Sequence, residues 1–141
     1  MDLIEKSLEI ALKAYSGQKD KAGRTYILHP LRIMSRMDTE EEMAVALLHD
    51  VIEDSDFTAE DLLSEGIPSG VVDAVRLLTK LHGESYDEFV DRVVVNPLAR
   101  KIKIADIEDN INVLRLESVG DKDFQRVAKY HRAWRRLNRN G

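Results

Sequence analysis

A mostly apolar segment that carries four ionisable side chains, residues 44–54, constrains this chain more than any other. It reads Ala-Val-Ala-Leu-Leu-His-Asp-Val-Ile-Glu-Asp, and a helix that is apolar on nearly every side is normally buried. Burying an imidazole or a carboxylate is costly unless the group is paired or binds a metal. In a continuous helix Glu53 follows His49 by one turn, and Asp54 follows Asp50 in the same way. This pattern is typical of a metal-assisted hydrolase.

Helical patterns extend over the rest of the chain. Capping residues with an acid three positions later occur at Asp2, Thr39, Thr58 and Ser85, and Asn96 precedes a proline. Apolar residues recur at helical spacing in 3–15, 30–37, 42–52, 71–81, 86–95 and 98–116, and a last helix is expected over about 123–137. The best candidate for a strand is 93–95. The sequence therefore predicts an all-α fold of roughly seven helices.

Length and composition narrow the class of protein. Because the 141 residues contain no long linker and no repeat, residues 1–141 are predicted to form one compact domain. The absence of cysteine excludes disulfides, thiolate metal sites and a cysteine nucleophile. The net charge of −5 disfavours a nucleic-acid partner. No apolar run approaches about 18 residues and no signal peptide is evident, so we expect a cytoplasmic protein without membrane association.

Two imidazoles and two carboxylates in the apolar segments are candidate metal ligands. Asp106 is an acid inside another apolar helix, where Lys103 and Asn110 share its stripe and are placed to hold phosphate oxygens. Such a mixed nitrogen and oxygen set suits Mn, Fe, Co or Zn better than Ca or Mg. A divalent ion lowers the pKa of bound water and polarises a phosphoryl oxygen. The candidate ligands are His29, His49, Asp50 and Asp106.

Structural explanations remain open for the same residues. His29, directly before Pro30, could be a packed or helix-capping histidine, and Asp106 could simply pair with Lys103. The polar loop 17–25 ahead of His29 either lines the mouth of a pocket or is a solvated connection. The basic C-terminal region is either a solvated helix end, which the helix dipole favours, or a phosphate or nucleic-acid contact. Its cations are Arg126, Lys129, Arg132, Arg135, Arg136 and Arg139.

The ordered set of ionisable residues resembles a known signature. His29, the segment His-Asp-Val-Ile-Glu-Asp at 49–54 and Asp106 together resemble the H…HDxxED…D pattern of HD-domain metal phosphohydrolases. Segments 26–31, 47–50, 78–80 and 103–106 are similar to the hydrolase domain of RelA/SpoT-type enzymes and their short stand-alone relatives. Those proteins remove the 3′-pyrophosphate of guanosine tetraphosphate, (p)ppGpp. The resemblance covers residues 14–112.

The resemblance implies a role for each matching residue. It implies one divalent metal, most commonly Mn²⁺ with Fe, Co, Zn or Ni as alternatives, held by the four candidate ligands. It implies that Glu53 and Asp54 activate or orient the attacking water. Lys103 and Asn110 match positions near the substrate or near the Asp106 carboxylate.

The chain departs from the (p)ppGpp hydrolases in residues that contact substrate. Their Arg-Lys-Ser-Gly loop is here Asp-Lys-Ala-Gly at 20–23, so Asp20 replaces an arginine, and only Lys21 and Arg24 remain nearby as substrate-binding cations. Asn112 likewise stands where an arginine is usual. We therefore expect intact metal chemistry with weaker or altered nucleotide selectivity.

The function that best fits these features is metal-dependent hydrolysis of a small phosphorylated nucleotide. The expected substrate is (p)ppGpp, from which the enzyme would remove the 3′-pyrophosphate, or a similar pyrophosphorylated nucleotide. Two alternatives remain open. One is a 5′-nucleotidase or nucleoside triphosphohydrolase on the same scaffold, and the other is a non-catalytic metal- or nucleotide-binding module.

Overall fold

The computed structural model describes residues 1–139, and within that range the protein is helical. The α-helices are α1 Leu3–Ala14, α2 Leu28–Ser35, α3 Glu40–Leu48, α4 Val51–Asp54, α5 Ala59–Ser64, α6 Ser69–Leu77, α7 Tyr86–Val93, α8 Pro97–Asn110 and α9 Asp121–Leu137. A short 3₁₀-helix spans Val113–Arg115. The all-α prediction is confirmed. The described helices outnumber the predicted seven because α4 and α5 are single short turns of four and six residues.

The predicted caps begin the helices. Reciprocal capping boxes form at Asp2, Thr58 and Ser85, where the cap side chain accepts a backbone N–H and the acid three residues later returns the bond. Thr39 accepts from the backbone N–H of Glu42 at the start of α3, and Asn96 accepts from that of Ala99 at the start of α8. Each such cap stabilises its helix by about 1 kcal/mol.

Helix α3 lies at the centre of the molecule. It packs against α1, α2, α6 and α8, and the side chains of Val45, Leu47 and Leu48 are fully buried. A helix enclosed on all sides needs apolar residues on every face, which explains the weak amphipathic pattern of this segment. His49, which directly follows α3, and Asp106, in the C-terminal half of α8, are therefore buried inside the protein. No described helix has the length and apolar character needed to span a bilayer.

The predicted continuous helix over 42–52 is wrong, because the backbone breaks after Leu48 and resumes at Val51. The hydroxyl of Tyr15 enters the break, where it donates to the carbonyl of Leu47 and accepts from the N–H of Asp50, both at 3.2 Å. A side chain that inserts into the backbone ladder interrupts a helix. Asp50 accordingly has φ −106° and ψ 4°, outside the helical range.

Two other predicted elements differ. The helix predicted over 98–116 ends at Asn110, and the chain continues as the 3₁₀-helix, because the Asn112 side chain caps that turn by accepting from the N–H of Leu114. The strand candidate at 93–95 is the end of α7 and the turn that follows it. Val93 is fully buried in the helical core, so its β propensity is overridden by packing.

Candidate metal centre

The structure brings all four predicted ligands together at one point. His29 comes from α2, His49 and Asp50 from the break between α3 and α4, and Asp106 from α8. Oδ1 of Asp106 lies 2.8 Å from Nε2 of His29 and 3.5 Å from Nε2 of His49. Oδ2 of Asp50 lies 3.1 Å from Nε2 of His49. Apart from the half-buried Asp50, these side chains are buried, which makes unpaired charge at this point costly.

The orientation of His49 fits a metal ligand. Its Nδ1–H donates to the carbonyl of Ala46 at 2.7 Å, so Nε2 faces the carboxylates of Asp50 and Asp106. Nε2 is buried without a well-formed hydrogen bond. Burial by itself lowers the pKa of His49, but these two carboxylates outweigh it and raise that pKa. Without metal, a proton on Nε2 supplies the positive charge between these two anions. A divalent cation that replaced this proton would meet one imidazole nitrogen and two carboxylates, a donor set that suits such an ion.

Asp109 fixes the second imidazole and was not predicted from the sequence. Its Oδ2 accepts from Nδ1 of His29 at 2.6 Å, which turns Nε2 of that ring towards Asp106. Arg32 and Arg115 bind the same carboxylate, with their shortest contacts to Oδ1 at 2.8 and 2.9 Å. Despite its burial, hydrogen bonds from His29 and Arg32 hold the pKa of Asp109 well below its usual range. Carboxylates that receive the outer N–H of ligand histidines commonly set ring orientation in metal sites.

Lys103 and Asn110, predicted from their spacing to hold phosphate oxygens, both bind the carboxylate of Asp106. Nζ of Lys103 lies 2.8 Å from Oδ2, and Nδ2 of Asn110 donates to Oδ1 at 3.0 Å. Burial alone raises the pKa of Asp106, but Lys103 and the two histidines outweigh burial and hold that pKa well below the usual range. Asp106 is therefore an anion with a fixed orientation.

Tyr26 is a further residue that the sequence did not reveal. Its hydroxyl donates to Oδ2 of Asp50, and its ring packs edge-on against Tyr15 at a centroid distance of 5.0 Å. Tyr15 binds the backbone of Asp50, so the two tyrosines hold both the side chain and the main chain of this residue. The sequence pointed to Tyr26 only through its position, three residues before the candidate ligand His29.

Glu53 and Asp54 lie on α4 at the exposed edge of the centre. Oε1 of Glu53 accepts from the backbone N–H of Lys80 at 3.2 Å, and partial desolvation together with the charge of Asp50 raises its pKa. Partial desolvation and the charges of Asp50 and Glu53 raise the pKa of Asp54 to about 6. Carboxyl groups with raised pKa values beside a reactive centre suit proton transfer near neutral pH.

A cavity of about 240 Å³ opens beside His29, and the polar loop 17–25 lines its mouth. Of the four residues predicted to bind substrate, Lys21 and Asn110 lie on its wall, whereas Arg24 and Lys103 do not. Lys103 is instead occupied by Asp106. The cationic residues on the wall are Lys19, Lys21, Arg32, Arg115 and Arg126. The cavity can therefore receive an anionic ligand next to the ligand cluster.

Asp20 lines this cavity but also holds the loop in shape. Its Oδ1 accepts from the backbone N–H groups of Ala22 and Arg24, both at 2.9 Å. Gly23 between them has φ of 79°, a left-handed conformation that favours glycine. The acid that replaces the expected arginine is therefore part of a compact turn, as short acidic side chains often are.

Proteins of known name match this chain over most of its length. None of the known family profiles matches it. Guanosine-3′,5′-bis(diphosphate) 3′-pyrophosphohydrolase of Vibrio cholerae serotype O1 is 34% identical over 128 residues, which cover 81% of this chain and 18% of that protein. The Haemophilus influenzae protein of the same name is 35% identical over 133 residues, which cover 85% and 20%. A GTP pyrophosphokinase of Streptomyces coelicolor is 35% identical over 125 residues, which cover 79% and 15%.

The chain spans about a fifth of the length of these relatives or less. A solved structure of a metazoan orthologue of SpoT that hydrolyses ppGpp superposes on 99% of this chain and 89% of its own, with a TM-score of 0.76 and 23% sequence identity. That similarity establishes a shared fold. The predicted resemblance is thus confirmed, and the chain is a homologue of one segment of the RelA/SpoT-type proteins.

Proposed function

We propose that this chain is a metal-dependent phosphohydrolase that converts guanosine-3′,5′-bis(diphosphate), or a similar pyrophosphorylated nucleotide, and water to the 5′-nucleotide and pyrophosphate. The observation that carries the proposal is the convergence of two imidazoles and two carboxylates from three parts of the chain beside a cationic cavity. The names of the relatives and of the structural neighbour support this choice of substrate. A small phosphorylated nucleotide is accordingly the partner, and a cytoplasmic location stays a prediction.

In this proposal Nε2 of His29, Nε2 of His49 and the carboxylates of Asp50 and Asp106 hold one divalent ion, with Mn²⁺ as the first choice and Fe, Co, Zn or Ni as alternatives. When bound, the ion supplies Lewis acidity and a water of lowered pKa. The protein's own contribution is orientation. Asp109 fixes the ring of His29. Tyr26 orients the carboxylate of Asp50, and Lys103 and Asn110 orient that of Asp106.

Glu53 and Asp54 are the proposed proton-transfer residues. Both lie on α4 at the exposed edge of the centre, where the charge of Asp50 acts on each of them. With a pKa of about 6, Asp54 is mostly ionised at neutral pH and accepts a proton readily. Glu53 is oriented by the backbone N–H of Lys80 and is proposed to align the attacking water and to share the transfer of its proton with Asp54.

The proposed substrate contacts follow the cavity wall. Lys21 and Asn110 lie on it and are proposed to contact the nucleotide. Lys103 is proposed to act through Asp106, to which its ammonium group is bound. Arg24 is not on the cavity wall, so its contact with the nucleotide stays a prediction from the sequence. Lys21 is well suited to phosphate because an ammonium group is a compact point charge.

A turnover screen of the full chain tests this proposal. Protein loaded with Mn²⁺ is incubated with ppGpp, GTP and 5′-nucleoside monophosphates, and products are separated by anion-exchange chromatography, with Asp106→Asn as the inactive control. We expect GDP and pyrophosphate from ppGpp, and no turnover after EDTA. Release of inorganic phosphate from monophosphates would instead identify a 5′-nucleotidase. Metal and nucleotide binding without any product would identify a non-catalytic module.

A further inference from the structure

Lys129 on α9 occupies an aromatic recess without a counter-ion. Its Nζ lies 4.6 Å from the centroid of the Tyr86 ring and 5.2 Å from that of the Tyr130 ring, and the two rings are 6.0 Å apart. The ion pairs of α9 within residues 1–139 involve other cations, and no described carboxylate is within 4.0 Å of this ammonium group. A cation on ring faces is held in place while its N–H donors stay available.

The surroundings of Lys129 are positively charged. Burial lowers its pKa, and the neighbouring cations Lys103, Arg126 and Lys21 lower that pKa further. Gathering like charges around a half-buried lysine opposes folding, and no described carboxylate within 4.0 Å of its ammonium group offsets this repulsion. Local conflicts of this kind are typical of functional sites. A negatively charged ligand would relieve the repulsion.

This recess adjoins the candidate metal centre. The Tyr86 ring also lies 5.8 Å from Nζ of Lys103, which binds Asp106, and Tyr130 lines the cavity beside His29. The Tyr86 hydroxyl is buried without a hydrogen-bond partner in the described residues. The wall of the recess is therefore shared with the centre, and it contains an unused donor.

An open groove of about 790 Å³ continues from the cavity past Lys129. Lys21, Leu116 and Arg126 line both depressions, and Lys122 adds a further cation to the groove. Asp123 is the acid on this wall, and it lies 3.5 Å from Arg126. A bound molecule that reaches His29, His49, Asp50 and Asp106 through the cavity can thus extend a second anionic group towards Lys129.

We propose that Lys129 is a specificity-determining residue that binds a phosphate group of the substrate remote from the bond being hydrolysed. The inference rests on the proposed function and narrows it to nucleotides that carry phosphate groups at two positions. The candidate metal ligands face the phosphate group whose bond is hydrolysed. Lys129, together with Arg126 and Lys122, faces the phosphate group at the other position of the nucleotide. Tyr86 and Tyr130 limit the freedom of the ammonium group, which reduces the entropic cost of binding.

Two measurements on the full chain test the role of Lys129. The first is KM for ppGpp with Mn²⁺-loaded protein, and the second is binding of inorganic pyrophosphate to EDTA-treated protein, followed by ³¹P NMR. For Lys129→Gln we expect KM to rise about tenfold with little change in kcat, and pyrophosphate binding to weaken by a similar factor. Lys129→Arg should restore both. Lys13→Gln, an exposed lysine on α1, is the matched control and should change neither.

The outcomes separate this inference from the proposed function. If the unmodified protein hydrolyses ppGpp and Lys129→Gln keeps its KM and pyrophosphate affinity, the role of Lys129 is refuted and the function stands. If the unmodified protein hydrolyses no nucleotide while Lys129→Gln loses pyrophosphate binding, the anion site stands and the function fails. Absence of pyrophosphate binding by the unmodified protein refutes the anion site. Circular dichroism of each variant confirms that it is folded.

Discussion

Nδ1 of His29 lies 2.6 Å from Oδ2 of Asp109, a carboxylate 80 residues later in the chain. The contact decides which nitrogen of the imidazole faces the candidate metal centre. His49 follows the same pattern with a backbone carbonyl in place of the carboxylate. Both rings therefore direct Nε2 to the same point, which is the arrangement expected of two ligands to one ion.

Loss of Asp109 should weaken metal binding without removing a ligand. In Asp109→Ala the His29 ring can rotate, so we expect Mn²⁺ affinity measured by calorimetry to fall about 10- to 100-fold. Asp91→Ala is the control, because Asp91 is an exposed acid on α7 whose partner is Arg136. Unchanged affinity in Asp109→Ala would show that the ring needs no such support.

Metal should stabilise the folded protein through Asp106. At a free Mn²⁺ concentration of 100 times Kd, a single site raises the free energy of unfolding by about 2.7 kcal/mol. Thermal unfolding with and without Mn²⁺ measures this effect, and EDTA should reverse it. Asp106→Asn should unfold at the same temperature in both conditions. An equal Mn²⁺ effect in the variant would place the metal elsewhere.

Glu53 should affect rate rather than metal binding. Glu53→Gln keeps the size of the side chain but removes its capacity to take a proton, so we expect kcat to fall about 10²–10⁴-fold with Mn²⁺ affinity unchanged. Asp50→Ala should lose both metal and activity. Normal turnover by Glu53→Gln would assign proton transfer to Asp54 alone.

The raised pKa of Asp54 should appear in the pH dependence of stability. In metal-free protein the folded-state pKa is about 6, above the usual value of 3.8. The folded state therefore binds the proton more tightly, and this group makes stability fall as pH rises from about 4 to 6. Asp54→Asn should remove that contribution and unfold at a higher temperature than the unmodified protein at pH 7. Asp56→Asn is the neighbouring control, and equal unfolding temperatures of Asp54→Asn and the unmodified protein at pH 7 would contradict the shift.

Asp20 should be tested by a variant that keeps its hydrogen bonds. Asp20→Arg would add a cation but remove the acceptor of two backbone N–H groups. Asp20→Asn keeps the acceptor and removes only the negative charge from the cavity, so we expect KM for ppGpp to fall. Asp20→Ala should disturb the turn and raise KM. If the unmodified protein is already strictly selective for guanine, the predicted loss of selectivity is wrong.

The sequence allowed prediction of contacts within one helix better than contacts between helices. The stripe of Lys103, Asp106 and Asn110 follows from helical spacing alone, and the structure shows that both outer residues bind Asp106, of which only the pairing with Lys103 was considered from the spacing. Asp109 also lies one turn from Asp106, yet its partner His29 is distant in sequence, and spacing carries no information about such pairs. Burial of the four ligand candidates was inferred from apolar flanks, whereas their convergence required the packing of α2 and α8 against α3.

The break in the backbone after α3 could not be predicted from the sequence for a related reason. A segment that is apolar on nearly every face fits helical spacing whether or not its backbone is continuous, so the interruption leaves no mark in the pattern. The cause lies outside the segment, in the hydroxyl of Tyr15 on the turn after α1. Backbone breaks made by a distant side chain are therefore invisible to local patterns.

That hydroxyl has a geometric consequence for the pair His49 and Asp50. Consecutive residues of a regular helix point about 100° apart around its axis, which separates the tips of two neighbouring side chains. Here the interrupted backbone brings Nε2 of His49 to 3.1 Å from Oδ2 of Asp50. By bonding to the main chain on both sides of the interruption, Tyr15 lets two successive residues direct Nε2 and a carboxylate oxygen to the same point.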